Sequence, residues 1–359
     1  MWGAVMDKVK LGFIGTGGMG QMAHLRNYAV IENCEIAAIA ELREKIGKGV
    51  AARYSIPKVY KDHIEMLQKE KLDGIVASQP FSVHASLVPE IFKHVKHVFT
   101  EKPIAVSVEA GEKLVEAAKA SGSIHMVGYH KHSDPATVYA KTVIDEWKST
   151  GKMGAFKYVR ITMPSGDWIA GGFDGLIKSD DLYPQVIKES APADMDEATG
   201  KAYVSFVNYY IHQVNLMRHL LGESYSLKYA EKSGILLAVE SVSGIPGIIE
   251  MTPYRTTIEW QEEILIAFEK GYITLKLPAP MTINRAGSVD VYEDPGEGKT
   301  PMRYSPVLPW IHAMKAQAMN FVKVCKGEIA PPCDGVEAVE DLKIARDYIR
   351  MVASSSLGK

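Results

Sequence analysis

Cysteine is scarce in this chain. Three residues in 359 (Cys34, Cys325, Cys333) make an odd number with no Cys-x-x-Cys spacing, which argues against a disulfide framework or structural zinc. An excess of charge of one sign is also missing. The 41 Lys+Arg and 43 Asp+Glu leave a net charge of −2 with no basic block, so there is no electrostatic case for nucleic acid or an anionic membrane surface. No apolar run is long enough to span a bilayer, and Met1–Lys8 lacks the basic region, apolar stretch and small-residue cleavage site of a secretory leader. Internal repeats and low-complexity tracts are absent. The expectation is a cytoplasmic protein without membrane, nucleic-acid or metal partners.

What is present is ordinary globular material. With 47% hydrophobic and 23% charged residues, the chain is too long for one ordinary core and fits two domains. Near its start the apolar run Val9–Ile14 passes straight into Gly15-Thr16-Gly17-Gly18-Met19-Gly20. In a Gly-x-Gly-x-x-Gly turn the first glycine lets the chain bend sharply out of a strand. The second lets backbone approach a pyrophosphate, and the third lets the next helix pack close to the sheet. Unpaired N–H groups at that helix start face the phosphates. Glycine-rich turns also arise for plain steric reasons, so context decides. A second apolar run, Glu35–Ala40, ends in Glu41, 21 residues beyond Gly20, where an acid accepts from the adenosine ribose hydroxyls. Such an acid repels a 2′-phosphate, which favours NAD over NADP, with Arg43 close enough to soften the preference.

Further along, the pattern predicts helices over 20–31, 43–54, 62–70 with Asp62 as N-cap, 84–94 and 107–121. Strands are predicted over 36–40, 72–78, 96–100 and 124–129. Alternating strand and helix demand right-handed crossovers and a doubly wound parallel α/β sheet over 1–129. Ligands of such sheets bind beyond the carboxyl strand ends, so Glu41, Gln79, Lys102 and His130 are expected on one rim. From about residue 130 the pattern changes. A helix over 135–147 is followed by apolar alternation over 156–163, 227–230, 235–242, 247–251, 263–268 and 272–277, with tight turns such as Glu269-Lys270-Gly271. This reads as an α+β domain over 130–359 with an open, mainly antiparallel sheet, closed by helices over 310–326 and 336–352. Residues 164–203, rich in glycine and carrying Trp168, read as a functional loop.

These features together resemble the Gfo/Idh/MocA oxidoreductases, which include glucose–fructose oxidoreductase and inositol dehydrogenase. The likeness runs over nearly the whole chain. It is carried by Gly15–Gly20, Glu41, Pro80 with His84, Glu101-Lys102-Pro103, Gly128-Tyr129-His130 before Asp134-Pro135, Asn208-Tyr209-Tyr210-Ile211-His212 leading into Leu220-Leu221-Gly222, and Cys333-Asp334-Gly335. It implies a Rossmann domain binding NAD through Gly15, Gly17, Gly18, Met19, Gly20, Glu41, Arg43, Gln79, Pro80, His84, Glu101, Lys102 and His130. It also implies Lys102 and His212 as catalytic residues. Their chemistry is intelligible on its own: a lysine beside a nicotinamide can donate to the reacting hydroxyl oxygen and stabilise alkoxide character, and an imidazole can accept the hydroxyl proton. The chain departs from the family at two places. The usual Asp four residues before the histidine is Asn208, and the acid often found three residues after it is Asn215; an amide can neither take the proton nor hold the charge.

The implied activity is NAD-dependent oxidation of a secondary hydroxyl of a sugar or glycoside, with Asn208, Trp168 and His130 as substrate contacts. Residues 128–135, the Trp168 loop and Asn208-Tyr209-Tyr210 also look like the glycoside 3-oxidases of gut bacteria that act on C-glycosides such as puerarin, which points to carbon 3 and a tightly held cofactor. The alternatives are a glycosidase that oxidises, eliminates and re-reduces, and a catalytically silent NAD-binding sensor suggested by the two asparagines. Alternating apolar residues at Ile264, Ile266, Phe268, Ile273, Leu275 and Leu277, with helices on one side of their sheet, lead to the expectation of a homo-oligomer covering a bare face.

Overall fold

A computed structural model of the chain describes residues 8–356; residues 1–7, most of the stretch on which the leader-free start was read, lie outside them. The chain packs as two compact units. Among the described residues the first comprises 8–129, 173–194 and 314–340, and the second 130–172, 195–313 and 341–356. Beside the division expected after residue 129, two later segments therefore return to the first unit.

The first unit is built on six parallel strands in the order β3-β2-β1-β4-β5-β6: β1 Val9–Ile14, β2 Cys34–Ala40, β3 Val59–Tyr60, β4 Gly74–Ala77, β5 His97–Thr100 and β6 Ile124–Val127. The strands are buried on both faces, as the unbroken apolar runs require. The exception is β3, a two-residue edge strand, too short for any periodicity to announce. On one side Phe13, Tyr28, Phe99 and Phe321 pack edge to face, with Phe13–Tyr28 at 5.3 Å and Phe99–Phe321 at 5.7 Å. Phe321 comes from the helix Ala313–Cys325, which sequence order alone assigned to the other domain.

Two local readings need correction. The helix expected over 20–31 is instead a wide π-helical segment, Gly20–Leu25, followed by one α turn, Arg26–Tyr28. All six residues of the π segment are buried, so packing rather than an amphipathic period sets its winding. The loop expected over 164–203 ends earlier, because the helix Glu197–Tyr209 starts behind the N-cap Asp196, which accepts from the Thr199 amide at 2.8 Å.

The second unit holds an eight-stranded sheet in the order β14-β13-β12-β11-β7-β10-β9-β8. Its strands are β7 Phe156–Thr162, β8 Tyr225–Ala230, β9 Leu236–Ser241, β10 Pro246–Glu250, β11 Glu263–Phe268, β12 Gly271–Lys276, β13 Ser288–Glu293 and β14 Met302–Tyr304. All pairs are antiparallel except β7 with β10. The sheet extends two strands beyond those expected, since the acids of β13 and the shortness of β14 mask their alternation. Helix Pro135–Thr150 packs on β12 and β13, and helix Ile211–Leu221 on β7 and β10. Ile264, Ile266, Phe268, Ile273, Leu275 and Leu277, offered above as an uncovered surface, are all buried on that helix-covered face. The opposite face carries Ile248, Leu265, Ala267, Tyr272 and Tyr292, each half-buried. All three cysteines are free, and among the described residues no helix is long and apolar enough to cross a membrane.

Candidate active site

At the carboxyl end of β1 the chain turns through Gly15, whose φ of +82° suits glycine alone; a Cβ there would also strike Gln79 Nε2 at 2.8 Å. At Gly20 a Cβ would lie 2.6 Å from the Gly15 carbonyl oxygen, so helix and strand approach as closely as the third glycine of the motif requires. Above Gly17 a Cβ would meet only Arg43 Nη2, at 3.6 Å, which leaves the backbone there open to a ligand. The helix start at Met19 carries no side-chain cap, and although the Gln21 amide donates to the Gly17 carbonyl at 2.9 Å, the turn ahead of it presents backbone N–H groups of the kind that bind phosphate. Ser78 Oγ ties β4 to the turn by donating to the Gly15 carbonyl at 2.7 Å.

Glu41 ends β2 as expected, but its carboxylate is heavily engaged. Oε2 accepts from the Thr16 amide at 2.8 Å, Thr16 Oγ1 at 2.9 Å and Arg43 Nη2 at 3.0 Å; Oε1 accepts from the Arg43 amide at 3.0 Å and Nε at 2.8 Å. Burial alone would raise this carboxyl, yet the Arg43 and Thr16 hydrogen bonds outweigh it and hold the group below its ordinary value. A cavity of about 860 Å³ opens beside the pair. Of the residues expected to hold the cofactor, Gly15, Gly17, Glu41, Arg43, Gln79 and Pro80 line it. Its size, the open backbone at Gly17 and the uncapped helix start fit the adenosine and pyrophosphate of a dinucleotide. Gln79 Oε1 is buried without a partner, a spare acceptor at the same wall.

Glu101-Lys102-Pro103 follows β5 directly, with Lys102 half-buried. Glu101 is buried, accepts from the Lys102 amide at 3.2 Å and pairs with His24 Nε2 at 2.7 Å. Its burial would raise the carboxyl, but the His24 hydrogen bond and charge, with Lys102, hold it low. Glu101 is thus a buttress joining the glycine-turn helix to the Lys102 turn. His84 is another: its ring is fully buried, away from the cavity, and Nδ1 donates to the Ile104 carbonyl at 3.0 Å. Gly18, Met19, Gly20 and Lys102 likewise lie off the cavity wall.

In the second unit the rings of His130 and His212 meet edge to face at 4.8 Å. His130 opens the segment after β6, and His212 stands in the first turn of helix Ile211–Leu221. One carboxylate braces both: Glu262, buried, accepts from Lys131 Nζ at 2.5 Å and from Gln213 Nε2 at 2.9 Å, the residues following the two histidines. Sequence reasoning missed Glu262, although its signal was present. It immediately precedes β11 and shares the even parity of Ile264, Ile266 and Phe268, so it falls on the same inward side. Asn208 ends up exposed on the preceding helix, beyond the break at Tyr210. Asn215 is buried, donating from Nδ2 to Asp341 at 2.7 Å beside Arg218, whose Nε bonds the same carboxylate at 3.0 Å. An acid at 215 would face Asp341 with like charge, so asparagine suits this network. Trp168 is half-buried in the loop after β7, its carbonyl accepting from the Met281 amide at 3.2 Å.

The chain is similar to known proteins over part or nearly all of its length. Residues 9–129 match the family model GFO_IDH_MocA, described as "Oxidoreductase family, NAD-binding Rossmann fold". An inositol 2-dehydrogenase of Rubrobacter xylanophilus is 32% identical over 150 residues, 42% of this chain and 42% of that protein. A myo-inositol 2-dehydrogenase of Thermotoga maritima is 23% identical over 225 residues, 63% of this chain and 58% of that protein. These alignments thus span about half the length of the curated relatives. Among solved structures, an oxidoreductase domain protein from Kribbella flavida superposes with a TM-score of 0.75 at 18% identity, over 98% of each chain.

Proposed function

We propose that the chain is a Gfo/Idh/MocA oxidoreductase, since its residues 9–129 match that family's NAD-binding Rossmann model, and that it oxidises a secondary hydroxyl of a sugar or polyol to a ketone, with carbon 3 of a glycoside the favoured position. The reading is carried by one observation. The glycine turn, the Glu41–Arg43 pair and Gln79-Pro80 gather at one cavity at the carboxyl ends of β1, β2 and β4, and Glu101-Lys102-Pro103 follows the neighbouring β5 directly. NAD, when bound, supplies the hydride acceptor. The glycine turn holds its pyrophosphate, and Glu41 and Arg43 face its adenosine ribose. Lys102 donates to the substrate oxygen as alkoxide character develops, and His212, fixed against His130, accepts the hydroxyl proton. Asn208, Trp168 and His130 contact the sugar. The inositol dehydrogenases among the relatives support a polyhydroxylated ring as substrate.

Incubation of the purified protein with a panel of glucosides and polyols, with and without added NAD, tests the reading, products being followed by mass and NMR. A keto sugar is expected. A free aglycone would instead establish an oxidation–elimination glycosidase, and bound cofactor without any product a sensor. Turnover without added NAD would establish that the cofactor stays bound. We further propose a cytoplasmic homo-oligomer joined through the sheet face that bears Ile248, Leu265 and Tyr272; a monomer by light scattering at micromolar concentration refutes it.

A further inference from the structure

Residues 173–194 leave the second unit's stretch of sequence and lie along the first unit. They are pinned at both ends. Near the start, Gln21 makes a two-way amide pair with Ile177, Oε1 accepting from its amide at 2.9 Å and Nε2 donating to its carbonyl at 3.2 Å. Arg26 donates to the Asp174 carbonyl at 3.0 Å, and the Phe173 ring lies where a Cβ on Gly18 would touch it at 3.6 Å. At the far end the Glu189 carboxylate accepts from the Val106 amide at 3.0 Å and from the Ser107 amide at 2.8 Å, while the Glu189 amide donates to the Ser82 carbonyl at 2.6 Å.

Between these anchors the segment does something costly for a surface loop. Tyr183 and Ile187 remain 63% and 89% exposed, yet together with Pro184 and Val186 they line the large cavity opposite Glu41, Leu42 and Arg43. The Arg43 guanidinium sits over the Tyr183 ring at 5.7 Å from its centre. Apolar side chains held over a cavity whose other wall offers ribose-directed polar groups match a purine base with its sugar, flat and apolar on its faces and polar at its edge.

We propose that residues 173–194 are a cofactor strap: Tyr183, Val186 and Ile187 close over the adenosine end of the dinucleotide, so that release requires the anchored segment to lift. The inference rests on the reading that NAD occupies this cavity. Its consequence is kinetic. A ligand covered by a tethered segment leaves at the rate at which the cover opens, so contacts with the strap are read in the dissociation rate.

The test is stopped-flow release of NADH from the full-length protein, followed by nicotinamide fluorescence after mixing with excess NAD. Removing the apolar wall with the double substitution Tyr183→Ser, Ile187→Ser should speed release by about ten- to hundredfold. Glu189→Gln, which weakens the far anchor without touching the cavity, should shift it in the same direction. Thermal melts of both variants check that the fold is retained. Release unchanged within about twofold in both variants, with NADH still binding the parent protein, overturns the strap and leaves the cavity assignment standing. Failure of the parent protein to bind NADH at all overturns both.

Discussion

Substituting Glu41→Gln probes the cofactor wall most directly. The side chains of the pair are 4% and 19% exposed for Glu41 and Arg43, so the carboxylate presents a partly neutralised charge to anything bound at the ribose. A lone carboxylate about 4 Å from a 2′-phosphate repels it by about 4 kcal/mol at an effective dielectric near 20. If Arg43 offsets roughly half, about 2 kcal/mol remains, an NAD preference of about thirtyfold at 1.4 kcal/mol per decade. Glutamine keeps the shape and still accepts from Thr16. Its carbonyl oxygen, at the Oε2 position, keeps one bond from Arg43 Nη2, but the NH2 group at the Oε1 position cannot accept from Arg43 Nε or the Arg43 amide, so the guanidinium is largely freed. The repulsion disappears, and a freed guanidinium gains a charge-assisted bond to the 2′-phosphate worth about 1.5–3 kcal/mol. The two changes sum to about 4 kcal/mol, so the ratio of NADP to NAD affinity should rise by about a thousandfold and invert the preference. Calorimetric titration of both cofactors measures it, and the gain should shrink at high salt. A ratio that moves by less than about threefold refutes the assignment of this pair to the ribose.

Four further outcomes follow from the geometry. Lys102→Ala and His212→Ala should each slow hydride transfer by about two to four orders of magnitude with NAD binding nearly intact; near-normal turnover of His212→Ala across pH would hand the proton to another group. Asn208→Ala should mainly raise KM, and Asn208→Asp should keep activity. Glu262→Ala leaves the buried Lys131 ammonium without its counter-charge and should cost about 3–5 kcal/mol of stability in denaturant titration, whereas the isosteric Glu262→Gln should cost less and appear chiefly as slower turnover; full stability of Glu262→Ala would show that water reaches the site. Glu41 and Glu101 both have carboxyls held below the ordinary 4.5, so the stability they contribute is whole above that pH and is lost as pH falls through their lowered folded values. Melts between pH 6 and 3 should steepen below about 4.5, less so in Glu101→Gln; an identical acid slope in that variant refutes the role of the Glu101–His24 pair.

The sequence by itself determined what short-range chemistry dictates. Strand followed by Gly-x-Gly-x-x-Gly, the acid ending β2 and the alternation of β11 and β12 each follow from the spacing of residue types along the chain, because glycine conformations and the two-residue period of a strand are local properties. Tertiary structure alone decided what depends on distant partners. Glu41 meets Thr16 and Arg43 on both oxygens, Asn215 serves Asp341 rather than the reaction, and Ile264 and Ile273 face their own helices instead of another subunit. Glu262 binds two histidine-bearing turns 131 and 49 residues away, and residues 173–194 return to the first unit through anchors such as Gln21–Ile177, 156 residues apart. A side chain's hydrogen-bond partner and the face it buries are fixed only when the chain packs within each unit, since desolvation rewards whichever donor, acceptor or apolar surface is brought opposite, however far along the chain it lies.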